Sequence, residues 1–165
     1  ALDGKLYAVG GDGADGHDLD TAEVYDPQTD GWQPLQAKMS TPRAALGLAA
    51  VGGKIYAIGG YDGDGSSTLD SVEAYDPQLG AWALVASMSG KRYSHASVVL
   101  DGKIYAIGGH DGADALDTVE VYDPQANSWQ RVARMPRGLY MYAAAVMGGK
   151  IYVTGGINNW NTVNS

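Results

Sequence analysis

Four glycine pairs, Gly10-Gly11, Gly59-Gly60, Gly108-Gly109 and Gly155-Gly156, constrain this chain more than any other feature. Each closes a near-copy of one phrase, read as DGKLYAVGG, GGKIYAIGG, DGKIYAIGG and GGKIYVTGG, at steps of 49, 49 and 47 residues. A fixed period of this size marks a unit that cannot bury its own faces and must stack against copies of itself. The 165 residues therefore read as one array: a partial unit over 1–38, units over 39–87 and 88–134, and a partial unit over 135–165.

Apolar residues within a period come in short alternating runs between Gly, Asp, Pro and Ser clusters, which is strand-and-turn patterning with no helix. Strands are expected over Lys5 to Gly10, Leu19 to Tyr25 and Trp32 to Leu35. The second unit adds a strand from Arg43 to Val51, whose small side chains suit a crowded position, giving four per unit. The next unit repeats the order with Tyr93 to Leu100, Lys103 to Gly108, Leu116 to Tyr122 and Trp129 to Val132. Tyr140 to Met147 and Lys150 to Thr154 follow, and then Ile157-Asn158-Asn159-Trp160 as a polar loop. Tyr-Asp-Pro recurs at Tyr25, Tyr75 and Tyr122, and a tryptophan always follows seven residues later, at Trp32, Trp82 and Trp129. Met39, Met88 and Met135 each stand 20 residues before the next glycine pair.

A glycine doublet after Gly-Lys-Ile-Tyr, then Val-Glu-x-Tyr-Asp-Pro, then Trp, then Met and Arg, closely resembles the kelch repeat, over essentially the whole chain. The resemblance implies an all-β fold, a β-propeller of four-stranded antiparallel blades with the Ala-rich strand innermost and blades packed face to face around a channel. It also implies that the residue after the doublet (Asp12, Tyr61, His110, Ile157) and the residue after the Met-x-x-x-Arg arginine (Ala44, Tyr93 and, by alignment from Met135, Tyr140) surround the channel mouth. That would collect Tyr61, Tyr93, His110 and Tyr140, with Asp12 and Trp160 nearby, on a rim that binds a protein or peptide. Arg43 and Arg92 carry the family arginine; Leu139 replaces it in the last unit, with Arg137 two residues early. The two arginines either hold loop carbonyls between blades or meet an acidic ligand from the rim.

Other chemistry has little support. The glycine pairs and the in-register Tyr and Trp residues are expected as structural features, the rings as inter-blade core. No helix follows a doublet, so the phosphate cradle of a Gly-rich turn is missing. Aspartates 12, 15, 18, 62 and 64 invite a calcium reading, but their spacing forms neither a repeated nonapeptide nor a helix-flanked loop. His17, His95 and His110 fall at unrelated repeat positions, and the chain has no cysteine, so no metal or cofactor is expected. The cysteine-modified tyrosine of copper-oxidase propellers cannot form. A net charge of −8 spread through every unit argues against nucleic acid, and no apolar run is long enough to cross a membrane as a helix. No leader segment is seen, and the compartment stays open. The resemblance therefore implies a binding scaffold; one alternative, a sugar-processing or oxidoreductase propeller, needs converging acids and bases where this rim is aromatic, and another is a purely architectural or engineered self-assembling half-propeller with no ligand.

The expected strand total is 13, in units of three, four, four and two, which is about half a closed propeller. Open blade faces would leave large apolar patches in water. Either two copies close a ring head to tail, or the chain is one part of a longer propeller. In a two-copy ring, Lys150 to Thr154 of one chain and Lys5 to Gly10 of the other compete for the same place in one blade.

Overall fold

The computed structural model describes residues 1–63, 67–158 and 161–162, all as strands, turns and loops with no helix. Four sheets follow one another along the chain. The first blade is β1 (Leu6–Val9), β2 (Ala22–Asp26) and β3 (Gly31–Pro34), antiparallel in that order. The second orders β4 (Gly47–Val51), β5 (Lys54–Ile58), β8 (Val72–Asp76) and β9 (Ala81–Val85), with a small hairpin of β6 (Tyr61–Asp62) and β7 (Ser67–Thr68) in its loop. The third is β10 (Ala96–Leu100), β11 (Lys103–Ile107), β12 (Val119–Asp123) and β13 (Ser128–Val132). The fourth holds β14 (Ala143–Met147) and β15 (Lys150–Thr154). Ile157–Asn158 (β16) pairs with Asn161–Thr162 (β17), so Ile157 and Asn158, expected in a polar loop, are strand-paired instead. Asp64 and Trp160 lie outside the described residues.

Alternation along each strand builds the core between blades. Ile55 and Ala57 pack on one side of β5 with Val9, Ala22, Met39 and Tyr75, against the first blade. Tyr56 and Ile58 pack on the other side with Val72, Met88, Ile104, Ala106 and Tyr122, against the third. A strand buried on both faces has period 2 but no polar face, which is why these runs are so apolar. β4, β10 and β14 lie beside one another from blade to blade. Their small residues allow this close approach: a Cβ added at Gly47 would sit 2.2 Å from Ser97 Oγ and 2.4 Å from His95 Nε2 of the next blade.

The glycine pairs are sockets for neighbouring backbone. A Cβ added at Gly10, Gly59 or Gly108 would lie 2.3, 2.5 or 2.7 Å from the carbonyl oxygen of Arg43, Arg92 or Leu139, each on the following blade. The same carbonyls accept from the second glycine of each pair: Gly11 N–H to Arg43 O (2.9 Å), Gly60 to Arg92 (2.9 Å), Gly109 to Leu139 (2.8 Å). Positive φ throughout, 56° at Gly59 and 95° at Gly60, adds a second demand for glycine.

The tyrosines of Tyr-Asp-Pro face their tryptophans directly across β2–β3, β8–β9 and β12–β13, with ring centroids 5.1–5.3 Å apart. Tyr75 and Tyr122 also meet Tyr7 and Tyr56 of the preceding blade and are buried, as expected of inter-blade core. Trp32 departs from that expectation: it is 51 % exposed, with no preceding blade among the described residues to cover it.

The inner strands start later than expected. β4, β10 and β14 begin at Gly47, Ala96 and Ala143, not at Arg43, Tyr93 and Tyr140. The reason is a left-handed residue at the same place in each unit, Ala45 (φ 48°), Ser94 (49°) and Met141 (53°), which breaks the strand. These kinks also join blades, since Ser94 N–H donates to Ala45 O (2.8 Å) and Met141 N–H to Ser94 O (3.0 Å).

Candidate functional site: an aromatic rim over buried arginine staples

Beyond each kink the chain turns outward and pairs with the loop that follows the glycine doublet. Ala44 pairs with Tyr61, Tyr93 with His110 and Tyr140 with Ile157, each through two backbone hydrogen bonds of 2.9–3.1 Å. The two sets of rim positions aligned in the sequence are therefore partners in space. In the first blade, which lacks an inner strand, Asp12 pairs with Asp18 instead.

The side chains join into one row across the blades. The Tyr61 hydroxyl reaches back to Asp12 Oδ1 (3.3 Å), and the Tyr61 ring meets Tyr93 edge-on, centroids 5.5 Å apart at 85°. Tyr93 and His110 lie 5.3 Å apart, and His110 meets Tyr140 at 5.1 Å and 69°. His110 Nδ1 accepts from the Gly112 N–H (3.0 Å) and lies 3.2 Å from the Tyr93 hydroxyl, contacts that fix the ring's orientation. All four rings are half-buried, with one face held by neighbours and the rest open. Asp111 borders the row, and the Asp114 and Ala113 N–H groups hold its carboxyl below the usual carboxylate range despite partial burial. Partial burial and the Asp12 carboxylate push the Tyr61 hydroxyl up; burial, Tyr140 and Asp111 do the same to Tyr93. Carboxylates thus flank the rings, Asp12 at one end and Asp111 beside His110.

Arg43 and Arg92 do not belong to this surface. They are 0 % and 1 % exposed, which removes the acidic-ligand role and leaves the structural one. Arg43 Nη1 donates to the carbonyls of Gly59 (2.9 Å) and Ser71 (3.1 Å), and its Nη2 pairs with Glu73 Oε1 at 2.8 Å. Arg92 repeats this on Gly108 (2.8 Å), Thr118 (3.1 Å) and Glu120 (2.7 Å). Each glutamate also accepts backbone N–H groups of the preceding turn, Ser40 and Thr41 on Glu73, Ser89 on Glu120. Burial lowers the Arg43 pKa, which Glu73 partly restores. Burial pushes the Glu120 carboxyl up, but hydrogen bonds from Ser89 and Arg92 outweigh it and hold it below its ordinary value. One staple per complete blade thus ties the glycine doublet, the third strand and the methionine turn together beneath the rim.

His95 was not singled out in the sequence as part of any pattern, yet it occupies a repeat position, in register with Leu46 and Tyr142. These three cover the glycine sockets: Leu46 lies against Gly10 and Gly60, His95 against Gly59 and Gly109, Tyr142 against Gly108 and Gly156. The Tyr142 hydroxyl donates to the Ile107 carbonyl. Burial, with Arg92 nearby, lowers the His95 pKa to about 3, so the ring is neutral. Among the described residues no three His, Asp or Glu side chains converge as a metal site would require.

Comparison with known proteins agrees with this geometry. A family model described as "FKB95, Kelch-repeats domain" matches residues 35–165, and one described as "Kelch motif" matches residues 1–39. No curated protein sequence matches the chain. Among solved structures, one titled "Structure of YjhT" superposes with a TM-score of 0.81 at 20 % identity, over 94 % of this chain and 56 % of that one. At that identity the likeness is one of fold, and this chain spans little more than half the length of its neighbour. On its repeat register, its sheet order and these matches, the chain belongs to the kelch-repeat family.

Proposed function

We propose that the chain is a non-catalytic scaffold that binds a protein or peptide through the row Asp12, Tyr61, Tyr93, His110 and Tyr140. The observation that carries this reading is the continuity of the row: four rings from three blades in successive contact, each fixed by a backbone pair or a hydrogen bond. Fixed, half-open aromatic rings supply large contact area with little entropy left to lose, which is the composition of interface centres. Binding suits such a row better than catalysis: among the described residues its bases are an imidazole already hydrogen-bonded to Gly112 and carboxylates at its edge. The staples beneath, independent of any ligand, keep the blades in the register that aligns the rings.

The test is a selection from a random peptide library displayed on phage, on the immobilised chain, followed by rescreening on His110→Ala/Tyr140→Ala. Enriched peptides should lose roughly 2 kcal/mol or more of affinity on the variant, the magnitude of an interface hot spot. Enriched peptides that bind the variant equally well would end the reading.

A further inference from the structure

The charges of this chain are mostly spoken for. Of its eleven lysines and arginines, seven pair with a carboxylate, and among the described residues Lys91, Arg131, Arg137 and Lys150 do not. Two of these four line one cleft of about 390 Å³ between the second and third blades, together with Gly90, Arg92, Asp111 and Thr118. In a chain of net charge −8, two unpaired cations in one cleft run against the trend.

The cleft is built around its cations. Arg131 lies on β13 directly opposite Glu120, and its Nε donates to Ser89 Oγ (2.8 Å), which anchors the guanidinium at the methionine turn. Its Nη groups have no acceptor among the described residues, and Lys91 is exposed beside them on that turn. Gly90 keeps the space open. A Cβ there would meet only Glu120 Oε1 at 3.7 Å and Arg131 Nη2 at 3.9 Å, and Gly90 is not among the glycines of positive φ, so neither packing nor backbone demands glycine. Arg92 forms the floor: it is 1 % exposed, and its buried Nε–H has no acceptor among the described residues. Glu120 is already engaged, Oε1 by Arg92 and Oε2 by the Ser89 N–H. The opposing charge is Asp111, whose Oδ1 accepts from the Ala113 and Asp114 N–H groups.

The seam between the first and second blades has the same staple without this charge. Thr41, Pro42 and Leu84 stand where Gly90, Lys91 and Arg131 stand, with Leu84 opposite Glu73 as Arg131 is opposite Glu120. The two free cations are therefore no part of what a blade needs to fold.

We infer that this cleft binds a phosphate-type dianion, held by the Lys91 ammonium, the Arg131 Nη groups and the Arg92 Nε–H. Guanidinium and ammonium groups are the usual phosphate donors, one as a planar fork and the other as a point charge. Two negative charges outweigh Asp111 for two cations, where a single carboxylate only equals it. The phosphate belongs either to a modified side chain of a bound segment or to a free small ester. The cleft borders the aromatic row at Asp111 but does not depend on it.

The probes are inorganic phosphate and blocked phosphoserine, titrated at constant ionic strength into the full isotope-labelled chain. Shifts should saturate and centre on the Gly90 and Lys91 amides and the Arg131 Nε–H, while Thr41 and Leu84 stay still. Phosphoserine binding tighter than phosphate assigns the cleft to a modified side chain, and the reverse order to a free phosphate. Arg131→Leu, copying Leu84, and Lys91→Gln, both at exposed positions, should each weaken binding about fivefold or more, as expected for a hydrogen bond to a charged group. Gly90→Thr, copying Thr41, should weaken it with both cations still present, and thermal unfolding should be unchanged in all three. The inference fails if the shifts do not saturate, if Arg137 and Lys150 respond as strongly as Lys91 and Arg131, or if the substitutions leave the affinity as it was. Such a failure leaves the reading of the row intact, because no peptide selected on the row serves as a probe.

Discussion

Replacing Arg92 by leucine, the residue the fourth unit itself carries at Leu139, removes one staple without a large change of volume. The guanidinium sits 2.7 Å from Glu120 Oε1 and 2.8 and 3.1 Å from two carbonyls, with both charged side chains 1 % exposed. Arg92→Leu leaves Glu120 charged, buried and held only by the Ser89 turn, and leaves the Gly108 and Thr118 carbonyls short of a donor. Removing one member of a buried pair costs about 3–5 kcal/mol, a large share of the roughly 5–15 kcal/mol that holds a domain folded. For a chain of this size about 2–4 °C accompany each kcal/mol, so the melting temperature should fall by roughly 6–20 °C. Arg92→Leu/Glu120→Leu removes the stranded charge and should recover part of that loss, because an apolar pair replaces a buried ion pair at little cost. The assay is thermal and urea unfolding, followed by circular dichroism, of wild type, both single variants and the double. A single variant within about 1 kcal/mol of wild type, or a double equal to the sum of the singles, would refute the staple, since residues in one network must couple.

Two further outcomes follow from the seams between blades. His95 has its pKa lowered from 6.5 to about 3 in the folded chain by burial first and Arg92 second, so below pH 6.5 the unfolded chain binds a proton that the folded one refuses. Stability should therefore fall as the pH drops from about 6.5 toward 3, at up to about 1.4 kcal/mol per unit. His95→Leu, copying its register mate Leu46, should flatten the slope between pH 6.5 and 5, before carboxylates contribute; an unchanged slope would show that His95 is not its source. Gly59→Ala, which sets a Cβ 2.5 Å from the Arg92 carbonyl, should cost clearly more than Gly155→Ala, where no described residue lies within 4 Å. The second substitution should cost only about the 1–2 kcal/mol of a left-handed alanine, and equal losses in denaturant titrations would mean that the sockets are not filled as described.

The period, punctuated by Gly-Gly, Tyr-Asp-Pro and Trp, was enough to read the strand order, because backbone demands repeat wherever the fold repeats. The rim was legible through alignment alone, since Tyr61 and His110 share one repeat position and Tyr93 and Tyr140 another, with no motif of their own. The arginine's partner was less visible: Glu73 follows Arg43 by 30 residues and Glu120 follows Arg92 by 28, a separation no local pattern marks. The signal was nonetheless present in the glutamate that precedes each Tyr-Asp-Pro by two residues. The late start of the inner strands was not legible, because left-handed geometry at Ala45, Ser94 and Met141 comes from pairing between blades and not from glycine or asparagine there. His95 likewise takes its character from the socket it fills, not from its neighbours in sequence.

The most direct test of the account is a chemical-shift map of the isotope-labelled chain titrated with a peptide enriched in the library selection. Perturbations should concentrate at Asp12, Tyr61, Tyr93, His110 and Tyr140 and leave the staples at Arg43 and Arg92 unmoved, as expected of a rigid platform that binds at its rim. Perturbations confined instead to the exposed face of β14 and β15, where Met147 and Tyr152 are 66 % and 48 % exposed, would show that the peptide reads an open blade and that the aromatic row is not the recognition surface.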